Sequence, residues 1–368
     1  ICMMRIIRGI TMLVAFLGFT QLSVAEEKQR ELKIYNWVSY IDKELIAEFT
    51  KQTGIKVIAD AFDSNQTLLA KTLTGNSGYD IVVPSDFAVT YLMEADQLLK
   101  LDLDKIPNHK NLWPQALEML NTFEGINNYA IPYFWGTTGI GYDAKKIAEV
   151  APDAPMDSLA AMLDPKYAAQ IAECGIYMLD SPAETVPILN MYLGQDPEST
   201  SKQDLENVEK MMAAIRPYVK KFHSSEYISA IANGDICMAL GWSGDFFIAK
   251  NSALDAGRDN DIQYTIPKEG SIVWFDEMVI LKDAENVEEA YEFINFMLDA
   301  KNSATAANKI MFPTANEASF EFLDPALRDN PILFPSEESL QNVHIKRPYD
   351  MRAQKAVNRM WMKMKSGR

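Results

Sequence analysis

Apolar and polar positions along this chain switch repeatedly between the twofold alternation of strands and the wider spacing of helices. Residues 32–36 read as a short strand, and 42–53 as an amphipathic helix stopped by Gly54. Residues 55–61 read as the next strand, 66–74 as the next helix, and 81–83 as a third strand closed by Pro84. That alternation predicts a βαβαβ unit around a parallel sheet, hence an α/β fold. Ligands of such sheets sit beyond the carboxyl ends of the strands. Here those ends carry Asn36-Trp37-Val38-Ser39-Tyr40, Asp63-Ser64-Asn65 and Pro84-Ser85-Asp86. They are aromatic, hydroxylic and acidic, whereas a phosphate or dinucleotide site would require glycines or a basic residue there.

Residues 87–97 and 111–120 read as helices, and 129–142 as strand-rich sequence crossing between two domains. Its Gly136-Thr137-Thr138-Gly139-Ile140-Gly141 has the wrong spacing for a dinucleotide fingerprint, and its glycines permit close backbone approach. A second unit starts near Asp143. Its strand 176–179 ends in Asp180-Ser181-Pro182-Ala183-Glu184, so two carboxylates stand at one strand terminus. Helices at 185–193, 208–215 and 226–233 follow, then a strand at 236–240 and the turn Gly241-Trp242-Ser243-Gly244-Asp245 into another helix. This turn is a near miss to the nucleophile elbow of hydrolases, with Asp245 where the last glycine should stand. An exported serine hydrolase using Ser243 is therefore the alternative reading.

Strand 271–281 holds Trp274 and Asp276 two residues apart, which places both on one face. An indole face attracts an ammonium group, and a neighbouring carboxylate adds a charge-assisted hydrogen bond to it. Taken by itself, this pair is better explained by a half-buried strand with a core Trp and a turn Asp. The recurrence of Trp and Asp at 242 and 245 favours a cation grip. Helices follow at 287–298 and 303–309, and the basic tail 349–368 reads as a docked helix with cations at its negative end. Two α/β lobes joined by several crossings imply a hinged cleft that closes on a ligand, with hinges near Thr137 and Gln263.

The chain has 368 residues and 48% apolar content, enough for two cores. Arg5 and Arg8 precede an apolar run from 10 to 19, and Ser23-Val24-Ala25 offers small residues for cleavage, so residues 1–25 read as a secretory signal. Removing them deletes two cationic and no anionic groups, taking the formal charge from -16 to -18. Such a charge repels nucleic acid and steers cations inward, although solubility alone also accounts for it. Cys174 and Cys237 in an exported protein read as a disulfide, while His109, His223 and His344 are scattered and show no metal-ligand spacing. No cofactor is expected.

With these residues in view, the chain resembles the periplasmic polyamine-binding proteins, the putrescine and spermidine receptors of bacterial ABC importers. The likeness runs from residue 32 to 368. It rests on I-Y-N-W-x-x-Y at 34–40, T-G-I-K-V at 53–57, D-S-N at 63–65, Y-D-I-V-V-P-S at 79–85, T-T-G-I-G-Y at 137–142, A-N-G-D-I-C at 232–237, G-W-S-G-D at 241–245 and I-P-K-E-G at 266–270. The resemblance implies a type II two-lobe binding fold. One lobe is expected at 30–137 plus 263–310, the other at 138–262 plus 311–368. It also implies a polyamine ligand held by Trp37, Ser39, Tyr40, Ser85, Asp180, Glu184, Trp242, Asp245, Trp274, Asp276 and Phe312, and delivery by a monomer to a membrane permease. A sensor docking on a membrane signalling partner is a further alternative. Val38-Ser39 stands where putrescine receptors carry Ser-Asp, and Phe312 where Tyr is common. Trp274 matches spermidine-preferring members, which tilts the expected ligand towards spermidine.

Overall fold

The computed structural model describes residues 29–335 and 337–367, so the expected signal segment lies outside the described residues. Ten strands form one hydrogen-bonded sheet flanked by helices. They are β1 (Glu31–Trp37), β2 (Lys56–Phe62), β3 (Ile81–Val82), β4 (Ala130–Asp143), β5 (Ile176–Met178), β6 (Val219–Phe222), β7 (Met238–Trp242), β8 (Ile262–Thr265), β9 (Ser271–Ile280) and β10 (Val343–Ile345). The main order is β2-β1-β3-β9-β4-β7-β5-β6, with β10 added to β9 and β8 to β4.

The first unit is parallel as expected, β1 pairing with both β2 and β3. Strand alternation divides its core. Leu32 and Ile34 pack on one face with Phe49 of helix Lys43–Thr53, while Tyr35 packs on the other with Phe62 and Val82. Both faces of β1 are thus packed, whereas β2, the edge strand, is mostly exposed along its length. Asp42 caps helix Lys43–Thr53 and Gly54 ends it at φ 74°, a left-handed position that glycine adopts without strain.

The long strands β4 and β9 run antiparallel and tie the molecule together. The first-unit half of β9 neighbours β3, where Val82 pairs with Val279, and the far half of β4 pairs with β7 and β8. The two strands meet at Gly136↔Trp274 and Thr137↔Val273. A Cβ on Gly136 would lie 2.5 Å from the Trp274 ring, so this crossing needs glycine.

Two segments bear on how the units divide. β8 pairs with Ile140–Asp143, so residues near Gln263 sit with the second unit rather than at a crossing. Residues beyond 310 do not move straight to that unit. Trp135 N donates to Pro313 O at 3.0 Å, Trp113 N to Ala315 O at 2.8 Å, and helix Glu317–Phe322 packs on helix Ala300–Ile310. The basic tail is a helix, Met351–Lys365, docked on Pro182–Tyr192 and Lys202–Ile215 through Val357, Met360, Trp361 and Met364. Cys174 and Cys237 form the expected disulfide, Cα to Cα 5.5 Å. No helix among the described residues is long and apolar enough to cross a membrane.

Candidate functional site

A cavity of about 240 Å³ opens where the carboxyl ends of the first-unit strands face helix starts of the second unit. Trp37, the last residue of β1, begins the turn that carries Ser39 at φ 63° and returns at Tyr40. Ser85 follows β3 and precedes helix Asp86–Glu94. Trp274 and Asp276 reach the cavity from the same face of β9, as their spacing requires. From the second unit come Glu184, in the first turn of helix Pro182–Tyr192, Trp242 at the end of β7, and Asp245 in the first turn of Ser243–Asp255. A carboxylate in a first helical turn is favoured by the helix dipole.

Aromatic rings make the walls. Trp37 meets Trp242 edge-on with centroids 6.0 Å apart, Trp274 lies 5.7 Å from Phe312, and Phe312 lies 5.4 Å from Tyr40. Gly244 leaves room for the Phe312 ring, which a Cβ would meet at 2.5 Å.

Each carboxylate is held by neutral donors. The Ser85 hydroxyl donates to Asp276 Oδ1 at 2.7 Å and receives from Asn65 Nδ2 at 3.0 Å. Tyr227 donates its hydroxyl hydrogen to Asp245 Oδ2, and the Tyr227 hydroxyl oxygen accepts from Trp242 N at 3.1 Å. Glu184 accepts from Trp242 Nε1 at 2.8 Å, Ser181 Oγ at 3.1 Å and Thr138 Oγ1 at 3.4 Å. Burial pushes Asp245 up to about 7 even against the Tyr227 hydrogen bond. Asp276 also rises to about 7 through burial, opposed by Ser85 and Tyr40 and assisted by Glu184. Glu184 is raised by burial despite its three donors. Among the described residues no Lys, Arg or His lines the cavity to neutralise these groups. The space is therefore built for a cation with an apolar body.

Ten of the eleven expected residues line this cavity: Trp37, Ser39, Tyr40, Ser85, Glu184, Trp242, Asp245, Trp274, Asp276 and Phe312. Asp180 does not. Its oxygens accept from Trp361 Nε1 at 2.8 Å and Lys365 Nζ at 2.6 Å, so it anchors the C-terminal helix instead. The walls also include Val38, Phe62 and Asp63 from the first unit, and Ser224, Ser225, Ile228, Ile248 and Ile310. Ser224 and Ser225 follow β6, whose Val-Lys-Lys-Phe sequence gives no apolar run; the only signal for them was their place after a parallel strand. Ser243 is buried and its Oγ accepts from Thr137 N at 3.3 Å. Among the described residues no histidine stands beside it: His109 bonds Ile106, His223 pairs with Glu226 and His344 with Glu198.

Residues 44–335 match the bacterial extracellular solute-binding proteins, and the chain belongs to that family. It is similar to the putrescine-binding periplasmic protein SpuD of Pseudomonas aeruginosa, with 40% identity over 98% of this chain and 99% of that one. It is 37% identical to the putrescine-binding periplasmic protein PotF of Escherichia coli over 93% of each chain. Among solved structures, a spermidine/putrescine ABC transporter protein from Listeria monocytogenes superposes with a TM-score of 0.82 at 34% identity, covering 92% of this chain and all of that one. The fold is thus the two-lobe α/β fold of substrate-binding proteins, and the protein is a binding protein, not an enzyme; the hydrolase reading of Ser243 falls.

Proposed function

We propose that this protein captures a polyamine between its lobes in the periplasm and, as a monomer, presents it to an ABC permease. The observation that carries the reading is the cavity itself, where Glu184, Asp245 and Asp276 stand among Trp37, Trp242 and Trp274 without a cationic side chain. Ammonium groups pair with the carboxylates while methylenes lie on the indoles. Putrescine and spermidine in the names of the relatives support the same class. Within that class we favour spermidine, because Trp274 gives a longer aromatic wall than Phe.

The lobes divide where β4 and β9 cross. One comprises residues 30–136 and 274–335, the other 137–273 and 337–367, a division supported by the strand pairings and by the contacts of residues 313–323. Ligand closes the hinge at this crossing. The test is a thermal-shift titration of the mature chain, stripped of carried ligand by unfolding and refolding, against putrescine, cadaverine, spermidine, spermine and agmatine. Ligand at a hundredfold over its Kd should add about 2.7 kcal/mol of stability. No shift with any of the five would overturn the reading.

A further inference from the structure

The carboxyl ends of the first-unit strands form one row across the floor of the cleft. Trp37 pairs with Phe62 between β1 and β2, so Val38 stands beside Asp63, and Val38 N donates to Phe62 O at 2.9 Å. β3 pairs with β1 on its other side, Tyr35 with Val82, and Ser85 follows the end of β3. Ser85 in turn bridges Asp276. The row therefore runs Asp63, Val38, Ser85, Asp276. Neighbouring strands lie ~4.8 Å apart, so its end members are about 14 Å from each other.

The two ends differ in character. Asp276 belongs to a buried group, its ionisation opposed by Glu184, and Tyr40 feels both Asp276 and Asp245. Whereas Asp276 is buried, Asp63 lines the same cavity but is exposed. Its Oδ1 accepts from Thr67 Oγ1 at 3.1 Å; among the described residues no cationic side chain pairs with it. Between the two ends lies an aromatic shelf, Trp37 on Phe62 with centroids 4.6 Å apart, and Ser225 lines the opposite wall. Of the cavity residues from this lobe, Asp63 is the only carboxylate besides Asp276.

We infer that Asp63 is a specificity-determining residue of the cleft, taking the outer ammonium group of a triamine that a four-methylene diamine seated on Asp276 does not reach. This rests on the polyamine reading. A diamine places both nitrogens within the buried group. A triamine of spermidine length lays its second alkyl segment on the Trp37–Phe62 shelf and ends at Asp63. Ser39 supplies no charge there, so the discrimination falls on the end of β2 instead.

Isothermal titration of the full mature chain and of Asp63→Asn with putrescine and with spermidine tests this. The variant should weaken spermidine about threefold to fivefold, the range of a partly exposed ion pair, and leave putrescine unchanged. Thr67→Val removes the hydrogen bond to Asp63 but keeps its charge, and should leave the ratio of the two affinities as it was. An unchanged ratio in Asp63→Asn, with both ligands bound by the parent, would overturn the inference alone. Parent protein that binds neither ligand would overturn the polyamine reading and this inference with it.

Discussion

Ser85 and Asp276 come from different strands, 191 residues apart in sequence, yet the Ser85 hydroxyl donates to the Asp276 carboxylate at 2.7 Å. Asn65 holds the serine in turn, donating Nδ2 to its Oγ and accepting from its N, each at 3.0 Å. The buried anion is thereby aimed before any ligand arrives, which lowers the ordering cost of binding. Asp276→Ala should weaken polyamine binding by at least about thirtyfold, as removal of one member of a buried charge pair does, equivalent to 2 kcal/mol or more. Ser85→Ala should weaken it less, about tenfold, the lower end for one hydrogen bond to a charged group. Calorimetric titration of both variants checks the order; equal effects would mean that Asp276 is not the cation's partner.

Asp180 offers the opposite contrast. Its two oxygens hold Trp361 and Lys365 of the C-terminal helix, outside the cavity. Asp180→Ala should lower the melting temperature, with a loss on the order of 1–3 kcal/mol for the unsatisfied indole and the lost ion pair. Affinity for polyamine should stay as in the parent. A variant of normal stability with weakened binding would return Asp180 to the ligand site.

These cases show where sequence stops. The βαβαβ unit was legible because short strand-like runs alternate with helices that carry a cap or a glycine stop, as Asp42 and Gly54 do. The shared face of Trp274 and Asp276 on β9 was legible because a twofold spacing fixes it, and both line the cavity. Asp180 and Glu184 stand at one strand end, and nothing local tells which of them turns inward. That depends on the helix Met351–Lys365, which reaches Asp180 from 185 residues away. β6 was hidden by Lys220 and Lys221, and with it went Ser224 and Ser225. The return of residues 313–323 to the first lobe rests on backbone hydrogen bonds to Trp113, Tyr133 and Trp135, which no side-chain pattern records.

The disulfide should stabilise the fold without touching the ligand. Cys174 and Cys237 precede β5 and β7, which pair in parallel, so the bridge ties the amino ends of strands whose carboxyl ends face the cleft. Closing a loop across a sequence separation of 63 is worth about 4 kcal/mol on the chain-entropy model. The double variant Cys174→Ser, Cys237→Ser should melt several degrees lower yet bind polyamine with parental affinity below its transition. Loss of binding in the folded variant would show that the bridge shapes the cleft.

Proton release should accompany capture. Burial raises both Asp245 and Asp276 to about 7, so in the empty cleft near neutral pH each is partly protonated. An ammonium group favours the charged carboxylate, and binding therefore expels these protons below pH 7. Affinity should rise by up to about tenfold per pH unit for each carboxyl between pH 5 and 7, then level off as both groups ionise unaided. The empty protein should behave oppositely. Carboxyls with raised folded pKa values contribute stability that is full below the unfolded pKa and lost as pH climbs through about 7. Ligand-induced melting shifts should consequently be larger at pH 8 than at pH 5.5. Calorimetry in buffers of different ionisation enthalpy would count the protons directly: release at pH 6 that disappears at pH 8.5 supports the argument. Uptake, or no proton exchange at pH 6, would mean that Asp245 and Asp276 are already ionised in the empty cleft.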